Sequence, residues 1–228
     1  LDHAANFLYM LTGTEPDDLS SRIMDAALTL HAEHGMNAST FSARVTVATL
    51  SDTYSGVTSA IGTLKGPLHG GANEGVMRML EAIGEPERAA DWVRGALDRG
   101  ERIMGFGHRI YRTLDPRAPI LKRLATKLSE RVANTRWLAI SEVVQDTMRE
   151  EMDRRGKKIY PNVDFFSASV YYTLGFPTDT FTNIFACARV SGWTAHIMEQ
   201  LENNRLIRPR AEYVGEFGKK VVAIAQRA

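Results

Sequence analysis

The chain has 228 residues, a formal net charge of +1, and 44% hydrophobic and 24% charged residues. This length allows a sizeable core in one or two domains, and the near-neutral charge, without blocks of one sign, disfavours a nucleic-acid partner. Cys187 is the only cysteine, which excludes an internal disulfide and a multi-cysteine zinc site and fits a reducing, cytoplasmic location. No apolar run approaches the ~18–20 residues that span a bilayer, so no membrane partner is predicted.

The first residues, LDHAANFLYMLTG, resemble the middle of a helix. They contain neither an initiator methionine nor the basic start of a signal peptide. We therefore expect the chain to be truncated, cleaved or incompletely numbered at its N-terminus.

Helical periodicity runs through almost the whole chain and predicts an all-α fold. Apolar residues recur at helical spacing in three segments: Leu19, Ile23, Ala26 and Leu30; Ile120, Leu124, Leu128 and Val132; and Val144, Met148 and Met152. Asp115 and Pro116 suit the N-cap and the first position of the second segment. Breaks that contain glycine near 66–71, 105–107 and 175–177 indicate two helical lobes that meet around loops.

Two histidines, His31 and His34, stand three positions apart near a predicted helix end, on one helical face. Such a pair can share a metal ion, but the sequence has neither the H-E-x-x-H order nor a cysteine pair. No metal site is therefore predicted. His34 is better suited to donate a hydrogen bond to a carboxylate ligand.

A third histidine, His69, lies between glycines in GPLHGGANE, just before a predicted helix start. The positive end of the helix dipole favours its neutral form, and a neutral imidazole can donate a hydrogen bond to a developing oxyanion. The glycines would allow a ligand to approach closely. Taken alone, the pattern also fits a turn histidine with no chemical role.

The stretch GFGHRIYRTLDPR has two glycines, Gly105 and Gly107, but not the third glycine or the preceding strand of a phosphate loop. Its basic side chains are His108, Arg109, Arg112 and Arg117. Arginines beside a glycine loop suit a phosphate or a carboxylate, although a solvated face fits Arg109 equally well. Arg117 falls in the first turn of a predicted helix, where backbone N–H groups favour an anion.

Two charged residues are set in apolar surroundings. Asp164 is flanked by a valine and two phenylalanines, which would raise the pKa of its carboxyl group and strengthen it as a base. Alternatively, Asp164 is a helix N-cap, with Ser167 three positions later. Arg189 interrupts an apolar segment and is expected to be buried and paired. No serine lies in the G-x-S-x-G pattern of serine hydrolases.

Six stretches, taken in chain order, resemble the citrate synthase family: HAEHGMNAST, GPLHGGANE, GFGHRIYRTLDPRAP, PNVDFFSAS, ARVSGWTAHIMEQ and RLIRPRAEYVG. The resemblance implies an all-α homodimer whose large domain (1–72 with 177–228) and small domain (73–176) close over the substrates. It implies that acetyl-CoA and oxaloacetate condense to citryl-CoA, which is hydrolysed to citrate and CoA without a further cofactor. Family members carry a helical segment before the point where this chain begins, so whether these residues fold alone stays open.

The resemblance also implies roles for individual residues. His69 would donate a hydrogen bond to the thioester oxygen, Asp164 would remove the methyl proton, and His108 would polarise and protonate the oxaloacetate carbonyl. The oxaloacetate carboxylates would be held by His34, Arg117, Arg189 and, supplied across the dimer interface, Arg208. The CoA-binding residues would be Gly105, Phe106, Gly107, Arg112, Lys157 and Lys158.

The sequence also fits three alternative functions. A 2-methylcitrate synthase uses propionyl-CoA with the same fold and residues, although two stretches look more like citrate synthases of the Gram-positive type. A non-catalytic helical binding or scaffold protein would keep the fold without the chemistry. A lyase module that cleaves citryl-CoA is the third, but no ATP-using partner segment is visible.

Overall fold

The computed structural model describes residues 1–107 and 113–227, and the regular structure in this part of the chain is helical. Its ten α-helices are α1 (His3–Thr12), α2 (Asp18–Ala32), α3 (Ala38–Val47), α4 (Thr53–Leu64), α5 (Ala72–Ile83), α6 (Pro86–Asp98), α7 (Ala118–Arg131), α8 (Arg136–Arg154), α9 (Val163–Thr173) and α10 (Phe181–Glu202). An isolated bridge between Phe106 and Pro161 is the one strand-like pairing in the described ranges. The predicted all-α fold is confirmed.

Several helices begin where a short polar side chain caps the first turn. The capping residues, whose side chains accept hydrogen bonds from backbone N–H groups, are Asp2, Asp17, Asn37, Asp52 and Asn162. Each such cap typically contributes ~1 kcal/mol by satisfying an amide that the helix leaves unpaired. The positions of these capping residues in the sequence therefore determine where α1, α2, α3, α4 and α9 begin.

The predicted buried faces agree with the structure to different degrees. In α8, Val144, Met148 and Met152 are all buried, as the spacing predicts. In α2 and α7 the predicted stripes lie at the side of the most buried faces: Leu19, Leu30 and Leu124 pack partly buried against the core, and Val132 is exposed. The most buried residues are Ile23, Met24, Ala27, Leu28 and His31 in α2, and Ala118, Leu121, Ala125, Leu128 and Ser129 in α7. Helix α7 also begins at Ala118 rather than Pro116.

Two clusters of buried apolar side chains form the core. The larger cluster joins α1, α2, α5 to α9 and the first part of α10. The smaller cluster is built by α3, α4 and α10; its buried members are Ala43, Val47, Ala60, Leu64, Phe185, Trp193 and Ile197. Helix α10 therefore runs along both clusters, and Arg189 lies on the part of the helix between them.

After α10 the chain continues as a largely extended and exposed tail, residues 203–227, with one 3₁₀ turn at Ile224–Gln226. Large apolar side chains are exposed along this tail: Leu206, Tyr213, Val214, Phe217, Val221 and Ile224. Among the described residues, every helix is either too short or too polar to cross a bilayer.

Candidate active site

A cavity of about 560 Å³ collects residues from five separate parts of the chain. Predicted site residues in its lining are His34, His69, Gly107, Arg117, Asp164 and Arg189. They come from the loop after α2, the turn before α5, the loops that precede α7, the first turn of α9 and the middle of α10. His108 and Arg112, which were also predicted at the site, lie outside the described residues, as does Arg109.

The ring of His69 is held from one side by the start of α3. Its Nε2 faces the backbone N–H of Ser39 at 3.3 Å and lies 2.8 Å from Ser39 Oγ. Because a backbone N–H can only donate, Nε2 is the acceptor, and the proton of the neutral ring resides on Nδ1. Burial and the nearby Arg189 lower the pKa of His69 to about 4, so the ring is neutral near pH 7.

Gly70, which follows His69, is required by the fold itself, and the approach of a ligand to these glycines stays a prediction. A Cβ on Gly70 would lie 2.7 Å from the carbonyl oxygen of Leu64 and 2.6 Å from its side chain. The N–H of Gly70 also donates to that carbonyl at 2.7 Å. Gly70 therefore lets the turn fold tightly against the end of α4, and this tight turn orients the imidazole.

Asp164 is the second residue of α9 and is only 9% exposed. The helix is capped by Asn162, whose Oδ1 accepts the N–H of Asp164 at 3.0 Å, so the alternative that Asp164 is the cap is wrong. Its Oδ1 is buried without a hydrogen-bond partner among the described residues. Burial raises the pKa of Asp164 to about 6, although Arg117 and Arg189 oppose the shift.

Arg117 is held by a buried carboxylate two positions earlier. Its Nε and Nη2 donate to the two oxygens of Asp115 at 3.0 and 2.7 Å, and its backbone N–H also donates to Asp115 Oδ1. Arg117 itself occupies the N-cap position of α7, without a capping side-chain bond. The prediction of Asp115 as the N-cap is therefore wrong, because its carboxylate fixes the guanidinium instead.

Arg189 is 2% exposed and lies on α10, as predicted for an arginine within an apolar segment. Its Nε donates to the carbonyl oxygen of His31 at 2.6 Å, and its guanidinium lies 4.8 Å from the centre of the Phe185 ring. Burial, together with the neighbouring Arg117, lowers its pKa to about 10. The group therefore remains a cation at neutral pH and faces the cavity together with Arg117.

The two histidines near the end of α2 are separated by the helix end. His31 lies in the last turn, fully buried, with Nδ1 2.7 Å from the carbonyl oxygen of Ala27. His34 follows the helix end at Ala32 and lines the cavity. The prediction that both share one helical face is therefore wrong, because the chain leaves the helix between them.

A second cavity, of about 340 Å³, lies beyond the glycine loop. Phe106 lines this cavity whereas Gly107 lines the first, so the loop borders both. The loop is fixed by hydrogen bonds from Gly107 N to Tyr160 O and from Asn162 N to Gly105 O, both 2.9 Å. Cationic side chains in the second cavity are Lys122, Arg149, Lys157 and Lys158, and its apolar lining includes Leu114, Ala118, Ile159 and Phe166.

Arg208 is the one described member of the predicted oxaloacetate set that lines neither cavity. It is exposed on the tail, where its Nη1 donates to the carbonyl oxygen of Pro209 at 3.3 Å. Its predicted contribution across a dimer interface stays a prediction.

Two residues behind His69 carry no signal in the sequence. Ser39 follows the Asn37 cap of α3 by two positions and touches a histidine 30 positions away. Trp193 donates its indole N–H to Ser39 Oγ at 3.1 Å across 154 positions. No spacing rule links such distant residues, and both look like ordinary helix and core residues in the sequence.

Comparisons with known proteins agree with this architecture. A family model described as "Citrate synthase, C-terminal domain" matches residues 1–210. Citrate synthase 2 of Bacillus subtilis is 55% identical over 99% of this chain and 59% of its own length. A 2-methylcitrate synthase of Shewanella oneidensis is 50% identical over 98% of the chain and 58% of its own length.

Solved structures give the same result. Citrate synthase from Thermoplasma acidophilum, in a ternary complex with carboxymethyl coenzyme A and oxaloacetate, superposes with a TM-score of 0.91 at 42% identity, over 99% of this chain and 60% of that one. Citrate synthase from Thermotoga maritima superposes with a TM-score of 0.89 at 43% identity, over 100% of this chain and 62% of that one. The chain spans less than two thirds of the length of these relatives. With a family model over nearly its whole length and about half of its residues identical to curated members, the chain belongs to the citrate synthase family, a family of acyltransferases.

Proposed function

We propose that the protein is a citrate synthase, which condenses acetyl-CoA with oxaloacetate and hydrolyses citryl-CoA to citrate and CoA. One observation carries the proposal: a buried carboxylate with a raised pKa, Asp164, lines the same cavity as a neutral imidazole, His69. A base and a hydrogen-bond donor in one cavity are what proton removal next to a thioester carbonyl requires.

Enolisation is the first step. The methyl group of a thioester is a very weak acid, so a carboxylate can remove its proton only if the enolate oxygen is stabilised at the same time. Asp164 takes the proton, and its raised pKa makes it a stronger base than an ordinary aspartate. His69 donates from Nδ1 to the thioester oxygen and, because it is already neutral, does not first have to lose a proton.

Oxaloacetate is a dicarboxylate, and the cavity offers two buried guanidinium groups for it. Arg117 and Arg189 bind its carboxylates, and His34 adds a further donor. Asp115 keeps the Arg117 guanidinium in a fixed orientation before the substrate arrives. His108 is assigned from the family motif to polarise and protonate the ketone carbonyl.

CoA is assigned to the second cavity and the glycine loop. The cavity combines an apolar lining with cations, including Lys157 and Lys158, which suits a nucleotide that carries phosphates. The backbone of Gly105, Phe106 and Gly107 borders this cavity and the first, so the thioester end can reach Asp164 along the loop. Arg112 is assigned to CoA from the family motif.

A two-domain homodimer completes the proposal, with a large domain of residues 1–72 and 177–228 and a small domain of residues 73–176 that closes and excludes water from the enol. The smaller core cluster lies within the first set of residues and supports this division. The larger cluster does not follow it, because it joins α1, α2 and the start of α10 to the helices of the second set. Arg208 would reach the site of the partner subunit. A cytoplasmic place in the tricarboxylic acid cycle follows from the same assignment.

The test measures CoA release by the protein at its full natural length, with oxaloacetate and either acetyl-CoA or propionyl-CoA. We expect a higher kcat/KM for acetyl-CoA, since identity to the citrate synthase of Bacillus subtilis exceeds identity to the 2-methylcitrate synthases. A preference for propionyl-CoA would make the protein a 2-methylcitrate synthase. Absence of CoA release with both substrates would favour a non-catalytic binding protein.

A further inference from the structure

Trp193, Ser39 and His69, from three separate parts of the chain, contact one another in a series that ends at the imidazole. Trp193, on α10, is fully buried, and its indole N–H donates to Ser39 Oγ at 3.1 Å. Ser39, in the first turn of α3, is also fully buried, and its Oγ lies 2.8 Å from His69 Nε2. The indole ring itself packs in the smaller core cluster, so it is held firmly by its apolar contacts.

The protons in this series can be assigned from the donors whose direction is fixed. Ser39 Oγ has one proton and two acceptors in reach, His69 Nε2 and Asn37 Oδ1, each 2.8 Å away. The single lone pair of Nε2 already accepts the backbone N–H of Ser39, whereas Asn37 Oδ1 has a second lone pair beside the one that accepts the N–H of Thr40, so the hydroxyl proton goes to Asn37. The indole N–H can only donate and therefore occupies a lone pair of Ser39 Oγ in every arrangement.

We propose that Trp193 is a positioning residue for enolisation, whose indole N–H holds Ser39 in place and thereby fixes the backbone N–H of Ser39 that orients the His69 ring through Nε2. This inference rests on the proposed function, in which Nδ1–H meets the thioester oxygen. A donor to a developing oxyanion is effective only within a few tenths of an ångström of its best position, and that position depends on the side chains behind it.

Without the indole N–H, Ser39 is held less firmly, so its backbone N–H and the imidazole that accepts it can shift together. The proton transfer that forms the enol then slows, because the oxyanion contact lengthens. Binding of oxaloacetate is unaffected, since Arg117 is held by Asp115, and Arg189 by the carbonyl oxygen of His31. The expected signature is therefore a lower kcat at an unchanged KM for oxaloacetate.

The experiment compares Trp193→Phe, Ser39→Ala and the double variant with the wild-type protein, all at full natural length. Trp193→Phe should lower kcat about tenfold, the lower end of the loss seen when an outer hydrogen-bond partner is removed. Solvent deuterium should enter the methyl group of acetyl-CoA more slowly by the same factor, with an unreactive oxaloacetate analogue bound. Because Trp193 acts through Ser39, the double variant should be no slower than Ser39→Ala.

Ile197→Val is the matched control, since Ile197 is buried in the same cluster on the same helix and its side chain has no hydrogen-bond donor. This replacement should leave kcat within about twofold of the wild-type value. If Trp193→Phe does not fold, a benzothienyl alanine placed at position 193 by codon suppression keeps the two-ring shape and lacks the N–H, so it decides the question.

Three results would overturn the inference: wild-type kcat in the variant that lacks the N–H, multiplicative losses in the double variant, or an equal loss in Ile197→Val. A wild-type protein that releases no CoA would instead refute the proposed function and, with it, a role in enolisation. CoA release by the wild-type protein separates the two failures, because it persists when only the role of Trp193 is wrong.

Discussion

Burial shifts the pKa values of two side chains of the candidate site in opposite directions. It raises the pKa of Asp164 to about 6 and lowers that of His69 to about 4, because a buried site disfavours the charged form of either group. His69 is therefore neutral at every pH well above 4. Asp164 is the ionised base only above about pH 6, so it alone of these two should limit the reaction at mildly acidic pH.

We therefore predict that kcat/KM for acetyl-CoA falls about tenfold per unit as the pH drops below about 6. The sign follows from the shift: a raised pKa keeps the inactive, protonated carboxyl group present at a pH where an ordinary aspartate is ionised. Initial rates from pH 5 to 8 at constant ionic strength measure the profile, with circular dichroism to verify the fold. The Asp164→Asn variant should lose at least ~10²-fold in rate and lack this limb. A wild-type profile that stays flat down to pH 5 would contradict the assignment of Asp164.

At this scale the sequence identifies residues whose chemistry is unusual for their surroundings. An aspartate between apolar residues, an arginine in an apolar helix and a histidine among glycines stand out in the sequence, and all three line one cavity. Asp115 was misjudged, because a carboxylate before a proline looks like a cap and the sequence does not show that it turns towards Arg117. Side chains such as Trp193, which act through a distant partner, leave no local pattern.

At the scale of elements, the site depends on how closely α10 lies against the end of α2. A Cβ on Gly192 would be 2.3 Å from the carbonyl oxygen of Ala32 and 3.3 Å from the Cα of Glu33. Only a residue without a side chain allows this approach. At the same end of α2, Arg189 donates a hydrogen bond to the carbonyl oxygen of His31. His34 lies two positions after Ala32, the last residue of α2.

We predict that Gly192→Ala forces the end of α2 away from α10. Such overpacking should reduce the free energy of unfolding by ~1–3 kcal/mol. It should also weaken oxaloacetate binding at least about tenfold, because Arg189 and His34 move relative to each other. Urea unfolding and calorimetry measure the two effects.

Gly62→Ala is the control for the Gly192 variant, since Gly62 lies in α4 with no atom within 4 Å of an added Cβ. This replacement should leave oxaloacetate binding intact and stabilise the protein by ~0.5–1 kcal/mol through helix propensity. Equal oxaloacetate affinity in the two variants would show that the contact between α10 and α2 does not position the site.

The registers of the helices show which elements a sequence can predict. Helix α8 carries its large apolar residues on one face, so its buried side was predicted correctly. Helix α7 packs closely on α9 and buries the small residues Ala118 and Ala125, which a search for large apolar side chains passes over. Close packing through small residues is a property of the helix pair, and one helix alone does not reveal it.

At the scale of the whole molecule, the tail after α10 is the part that a single chain does not explain. Residues 203–227 expose several large apolar side chains, among them Leu206, Tyr213 and Phe217, along an extended segment. Contiguous exposed apolar side chains commonly mark an interaction surface. This surface is consistent with the proposed homodimer, in which the tail lies on the partner subunit and carries Arg208 to the partner's oxaloacetate site.

We predict that Arg208→Ala removes most of the activity, since loss of one partner of a buried charged contact costs ~2–5 kcal/mol. Arg210→Ala is the matched control, because Arg210 is exposed on the same tail two positions later and is not assigned to the site. It should retain nearly full activity. Equal losses in both variants would indicate a general role of tail charge instead of a specific contact.

Mixed dimers decide which subunit Arg208 serves. Subunits with Asp164→Ala and subunits with Arg208→Ala, each inactive alone, are expressed together with two different affinity tags, and the mixed dimers are purified through both. If Arg208 serves its own subunit, one site lacks the base and the other lacks the arginine, so neither works. If Arg208 crosses the interface, both defects fall in one site, and the other site has both wild-type residues. Because one site of two is then intact, the mixed dimer should recover about half of the wild-type activity. Purified mixed dimers as inactive as the two parents would contradict the shared site, because every arrangement in which the tail supplies the partner leaves one site complete.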